Sequence, residues 1–201
     1  MNKVVITSKT RMSHGYCIGG YDVSDGKYIR LLKSNGSNQG YDTQFEVGEL
    51  WRLAYEQKQD VTPPHIEDVS VKKQKYIRRI EDLSDYILRR ITPYNGSITG
   101  LFNNTLGFTS NGGPYINGTK GLPTNSVGFW LLPDDLEIVR ADNGRIRYKV
   151  KGTIYEVPYV GLQPAIDLVP AGTLVRMSLA RWWSPEPNFE ERCYAQLSGW
   201  Y

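Results

Sequence analysis

A chain of 201 residues with 40% hydrophobic and 22% charged side chains holds enough apolar material to bury a core, so disorder throughout is excluded. Its formal net charge of +3 does not by itself argue for nucleic-acid binding, and no apolar run approaches the ~20 residues that cross a bilayer. The 14 Tyr, 5 Trp, 20 Gly and 11 Pro favour short strands and frequent turns, which predicts a mostly β fold.

In chain order, the β-branched run Val4–Thr7 predicts a first strand, a polar stretch from Lys9 to His14 follows, and Tyr16–Tyr21 resumes as a second. Asp22–Gly26 carries Asp-Gly turn chemistry into a third strand at Lys27–Leu32, and the Asn, Gly and Ser content of Lys33–Gly40 predicts a loop. Alternation over Glu49–Tyr55 predicts a fourth strand; Pro63-Pro64 interrupts the pattern and His65–Val71 restores it as a fifth. One helix is expected, capped by Asp82 or Ser84, with Leu83, Ile87 and Ile91 on a shared face. Residues 97–125 read as a Gly/Asn-rich connection with anchoring apolar side chains.

A second β series opens at Val127–Leu132 and continues at Leu136–Arg140. An Asp142-Asn-Gly144 turn then leads to Arg145–Val150, Thr153–Val157, Thr173–Ala180 and Arg192–Leu197. The expected organisation is a first OB-like barrel at 1–80, a helix and connection at 81–125, and a second OB-like barrel at 126–201. A single larger barrel or sandwich is the alternative. Cys17 and Cys193, in a chain opening Met-Asn-Lys without signal-peptide character, predict free thiols and a cytoplasmic setting.

The ends carry a further pattern: Val4-Val-Ile-Thr-Ser-Lys-Thr-Arg-Met12, Cys17-Ile-Gly-Gly-Tyr21, Arg30-Leu-Leu32 and Val47-Gly-Glu-Leu-Trp51 near the start, then Arg176-Met-Ser-Leu-Ala-Arg-Trp-Trp183 and Cys193-Tyr-Ala-Gln-Leu-Ser-Gly-Trp-Tyr201. Together these resemble the bacterial dual OB-containing domain family over essentially the whole chain. The resemblance implies two OB folds in tandem, a setting in bacterial conflict or phage-defence systems, and nucleic-acid or nucleotide binding. It names no catalytic residue.

Among polar clusters, Lys9, Arg11 and His14 follow the first strand, where a small barrel opens its mouth, and could offer cations to phosphate; the competing reading is surface ion pairing. Arg176 and Arg181 flank a strand ending in Trp182-Trp183, and alternation requires one of that doublet to face the core and the other to be exposed, where it could stack a base. The basic run Lys72, Lys73, Lys75, Arg78, Arg79, Arg89 and Arg90 is interleaved with Glu81, Asp82 and Asp85. It reads as a solvated, salt-bridged helix entry more than a phosphate track. Gly19-Gly20 and Gly112-Gly113 fit no phosphate-loop pattern. His14 with Cys17 makes neither a metal site nor an aligned nucleophile pair, and turn formation accounts for Asp134-Asp135 beside Glu137.

The expectation is therefore a non-catalytic binding module without a cofactor. Its ligand-binding residues are Lys9, Arg11, His14, Arg30, Arg176, Arg181, Trp182 and Trp183, and its ligand is single-stranded nucleic acid or a nucleotide-like molecule. A protein-interaction module docking a co-encoded partner is the alternative, and a metal-dependent hydrolase using Asp134 the third.

Overall fold

The computed structural model describes residues 1–140 and 144–201, so Asp142 and Asn143 of the expected Asp-Asn-Gly turn lie outside the described residues. The chain divides into two compact units, Met1–Thr92 and Pro93–Tyr201.

In the first unit, β1 (Asn2–Met12), β2 (Gly15–Asp22), β3 (Lys27–Leu32), β4 (Glu49–Gln57) and β5 (Asp68–Arg79) close into a barrel in the order β1-β2-β3-β5-β4. All contacts are antiparallel except the short parallel pair of β3 with β5. This is the five-stranded Greek-key barrel of an OB fold. The alternation visible in the sequence sets the inside: Val4, Ile6, Ile18, Ile29, Leu31, Leu53 and Val69 fill the barrel around Phe45 and Trp51, whose rings meet edge to face at 4.9 Å.

A smaller cluster of Val5, Tyr21, Leu50 and Ile80 lies on the outer face under α1 (Leu83–Leu88). Asp82 caps that helix, accepting from the Asp85 N–H at 2.8 Å, as its position predicts. The helix is shorter than its apolar spacing suggests and has its C-cap at Arg89. The fifth strand is longer than its pattern suggests: it runs on through the basic residues to Arg79, because β4 offers it a hydrogen-bonding partner over that whole length.

The second unit surrounds one core with two sheets. Here β6 (Gly107–Phe108), β7 (Pro114–Ile116), β14 (Cys193–Trp200), β13 (Leu174–Leu179) and β8 (Val127–Leu131) form one in that order. In the other, β11 (Glu156–Pro158), β10 (Ile146–Val150), β9 (Leu136–Arg140) and β12 (Leu168–Val169) lie side by side. The Gly/Asn-rich stretch supplies part of this core, since Ile98, Leu101, Leu106 and Ile116 are buried in it. Residues 81–125, expected as a helix and connection, are thus divided: α1 completes the first unit and 93–125 build into the second. Fully buried Trp130 and Tyr148 anchor the core while satisfying their polar ends, Trp130 Nε1 on the Gly96 carbonyl and Tyr148 Oη on the Ile166 carbonyl. Both cysteines are reduced, and burial pushes the Cys193 thiol up to about 12, consistent with an inert packing role.

Leu53 is fully buried at the centre of the first barrel. Leu53→Ala is expected to cost about 2–5 kcal/mol, read as a lowered midpoint in chemical denaturation; a change below about 1 kcal/mol would place the barrel core elsewhere.

Candidate functional site

In the first unit, the β1–β2 turn, β3 with the loop after it, and the β4–β5 connection border an open cleft of about 510 Å³, within the range of small-molecule sites. His14 comes from the first turn, Arg30 and Leu32 from β3, Lys33, Gly36, Ser37, Asn38 and Gly40 from the loop, and Lys58 from the start of the β4–β5 connection. No carboxylate lines it. The β1–β2 and β4–β5 connections and β3 are where OB barrels present their ligands, and the 33–40 loop adds a further wall.

Backbone contacts hold the cleft's wall in place. Gly15 has φ +97°, and a Cβ there would lie 2.0 Å from the Gln39 carbonyl oxygen, so only glycine lets the 33–40 loop come this close. The Tyr16 N–H donates to that same Gln39 carbonyl at 2.8 Å. Within the loop, Asn35 Oδ1 accepts from the Ser37 N–H at 3.0 Å, and the Lys33 N–H donates to the Ser37 carbonyl at 2.8 Å.

Arg30 engages Asp68 across the parallel β3–β5 pair: Nη2 donates to Oδ2 at 2.6 Å, and Nε stands 2.5 Å from Oδ1. Burial raises the Asp68 carboxyl above its usual range, with the charge and hydrogen bond of Arg30 opposing the shift. Arg30 therefore brings a largely neutralised guanidinium to the cleft. Lys33 and Lys58 are exposed and form no ion pair among the described residues.

The structure brings His14 and Arg30 together in this cleft and places the other expected residues elsewhere. Lys9 is nearly buried, with Nζ 2.5 Å from a Glu46 carboxylate oxygen and 4.6 Å from the centre of the Tyr16 ring, so its charge is satisfied internally. Arg11 is exposed near the end of β1, opposite Tyr16. In the second unit Arg176 is buried, and its Nη1 donates to Ser198 Oγ at 3.0 Å, so it is not offered to a surface ligand. Arg181 is half-buried and engaged.

The strand expected to end in the Trp doublet stops at Leu179, and the doublet lies beyond it, with Trp183 in an isolated bridge to Arg192; Trp182 packs against the core, and Trp183 is 54% exposed. Trp183 leans on Tyr194 at 6.3 Å, Tyr194 lies opposite Tyr115 in the sheet, and the Arg192 guanidinium sits 4.1 Å over Tyr115. This exposed aromatic surface belongs to the second unit alone.

Lys33, Lys58, Tyr115 and Tyr194 are the residues sequence reasoning passed over. Tyr194 had a signal, since Cys193, Ala195 and Leu197 of the same strand are all buried and it must face outward. Of the carboxylates considered for hydrolysis, Asp135 has a structural role: it accepts from the Ala171 N–H at 2.9 Å and from Lys151 Nζ at 3.0 Å, which hold it below the usual carboxylate range. Among the described residues no group of three or more His, Cys, Asp or Glu is placed to hold a metal. None of their helices is long and apolar enough to cross a membrane.

With the closed barrel and its cleft described, comparison with known families is decisive, because the model of the dual OB-containing domain matches residues 2–200. The chain belongs to the dual OB-containing domain family. No curated protein and no solved structure matches it. Membership makes this dual OB-containing domain a binding module in general terms, and the cleft lies where the first of its OB barrels would use it.

Two substitutions test this geometry. Gly15→Ala is expected to destabilise the protein by about 1–3 kcal/mol and to loosen the 33–40 loop, seen as faster amide hydrogen exchange there; unchanged exchange would refute the close approach. Trp182→Ala is expected to lower the melting temperature and Trp183→Ala to leave it nearly unchanged, and the reverse order would overturn the assignment of which ring is packed.

Proposed function

We propose that this dual OB-containing domain binds a single-stranded nucleic acid or a nucleotide-like ligand, with a phosphate in the cleft of the first unit. One observation carries the reading: His14, Arg30, Lys33 and Lys58 converge on a cleft of nucleotide size that no carboxylate lines. Lys33 and Lys58 act as mobile point charges, while Arg30, fixed by Asp68, presents an oriented edge to the same space. The exposed Trp183 with Tyr194 and Tyr115 supports the reading independently, because such rings stack bases with little regard to sequence. Arg176 and Lys9 are no longer among the contacts proposed. The cytoplasm of a bacterial defence system is the setting we propose, on the family resemblance alone.

The test is titration of the purified protein with labelled single-stranded DNA, single-stranded RNA, duplex DNA and a mononucleotide at low and at moderate salt. Lys33→Gln combined with Lys58→Gln is expected to weaken binding by about 10-fold or more, since each removes a charge-assisted contact. Wild-type affinity in that double variant would remove the cleft from the proposal. A wild-type protein that binds none of these probes, yet forms a stable complex with a co-encoded protein, would establish the protein-interaction reading in its place.

A further inference from the structure

We infer that the outer face of the β1-β4-β5 ribbon is a second anion site, built to hold the phosphate backbone of a polynucleotide. Its identity as nucleic acid rests on the reading above; the presence of an anion site does not. Lys3 of β1 lies directly opposite Arg52 of β4, and Arg52 lies directly opposite Lys75 of β5. All three are exposed, on strands whose neighbouring residues Val4, Trp51 and Leu53 point into the barrel. With strands about 4.8 Å apart, three cations stand in a row about 10 Å long. Lys73, opposite Ala54, and Arg78, opposite Leu50, extend the same face along β5.

Like charges directly opposite one another in a sheet destabilise it. No ion pair involves Lys3, Arg52, Lys73, Lys75 or Arg78 among the described residues. Protection of a sheet edge explains lysines on an outer strand, but not Lys3 and Arg52, which lie on strands paired on both sides. A polyanion explains all of them. The whole +3 excess lies in this unit as well, with 15 Lys and Arg against 12 Asp and Glu through residue 92 and 9 against 9 beyond it.

The chemistry selects phosphate over the other polyanions. The row itself, Lys3, Arg52 and Lys75, is cationic throughout; Tyr76 and Ile77, between Lys75 and Arg78 on β5, are the part-exposed apolar side chains next to it, and Val5 and Leu50 are already covered by α1 and its surroundings. Flexible point charges at steps of about 5 Å across the strands and about 7 Å along them suit repeated phosphates contacted without base readout.

The experiment compares the wild type, the row variant Lys3→Gln/Arg52→Gln/Lys75→Gln and the cleft variant Lys33→Gln/Lys58→Gln. Each is titrated with AMP and with oligo(dT) of about 20 nucleotides over a range of salt concentrations. The row variant is expected to bind oligo(dT) with a log-log salt slope about 2 smaller in magnitude, three contacts at roughly 0.7 each. Its AMP affinity should be unchanged and its melting temperature no lower, since mutual repulsion is relieved. A wild-type salt slope in the row variant overturns the inference while leaving the cleft reading intact. Loss of slope in the row variant with no effect in the cleft variant sustains the row and removes the cleft. Row-dependent binding of poly-glutamate or of anionic lipid vesicles, but not of oligo(dT), also overturns it.

Discussion

Everything in the first unit depends on three residues of parallel pairing, Arg30–Leu32 against Asp68–Ser70, which turn an antiparallel meander into a closed barrel. A parallel ladder that short has few hydrogen bonds to hold it. The Arg30–Asp68 ion pair fastens it from the outside, one partner nearly fully desolvated, and such a pair is more costly to break than it is favourable to form. Closure also sets where chemistry can occur: it turns Arg30 toward the 33–40 loop and brings the start of the β4–β5 connection, with Lys58, to the same opening.

The fold was largely legible because a small barrel writes itself in alternation. Val4 and Ile6 inside, Leu53 against exposed Arg52, and the Asp-Gly turn before Lys27 are local signals that need no partner to be read. Long-range partnership was not legible. The run from Lys72 to Arg79 looks soluble on both sides, and only β4 lying beside it makes it a strand. Residues 97–125 look like a linker because Gly, Asn and Ser dominate them, yet four well-spaced apolar side chains are enough to sew that stretch into the second core. Propensity lost to strand pairing in the first place and to tertiary burial in the second.

The candidate site was half legible for a related reason. Residue type identifies a cation, but its neutralisation depends on what the fold brings near it. Lys9 and Arg30 meet Glu46 and Asp68, at separations of 37 and 38 residues, and Arg176 is buried beside Ser198. Lys33 and Lys58, which look ordinary in sequence, line the cleft without a close ion pair among the described residues, although the Asp68 carboxylate feels the charge of Lys58. The Trp doublet parts company as the sequence predicts, one ring packed and one exposed, but past the end of β13, so local backbone and not a regular strand sets the two rings apart.

The far half of β5 has one further consequence. Among the described residues it pairs past Ser70 with β4 alone, so its second edge has no strand partner along residues 71–79. Such an edge is a template on which a second copy can zip up, and here the guard is mutual repulsion between cations. That guard is electrostatic and therefore conditional: as the screening length falls from about 8 Å near physiological ionic strength to about 3 Å at 1 M, the strands lose their reason to stay apart. The colloidal behaviour of this protein is thus tied to its counterions, and high salt removes the guard against its associating with itself.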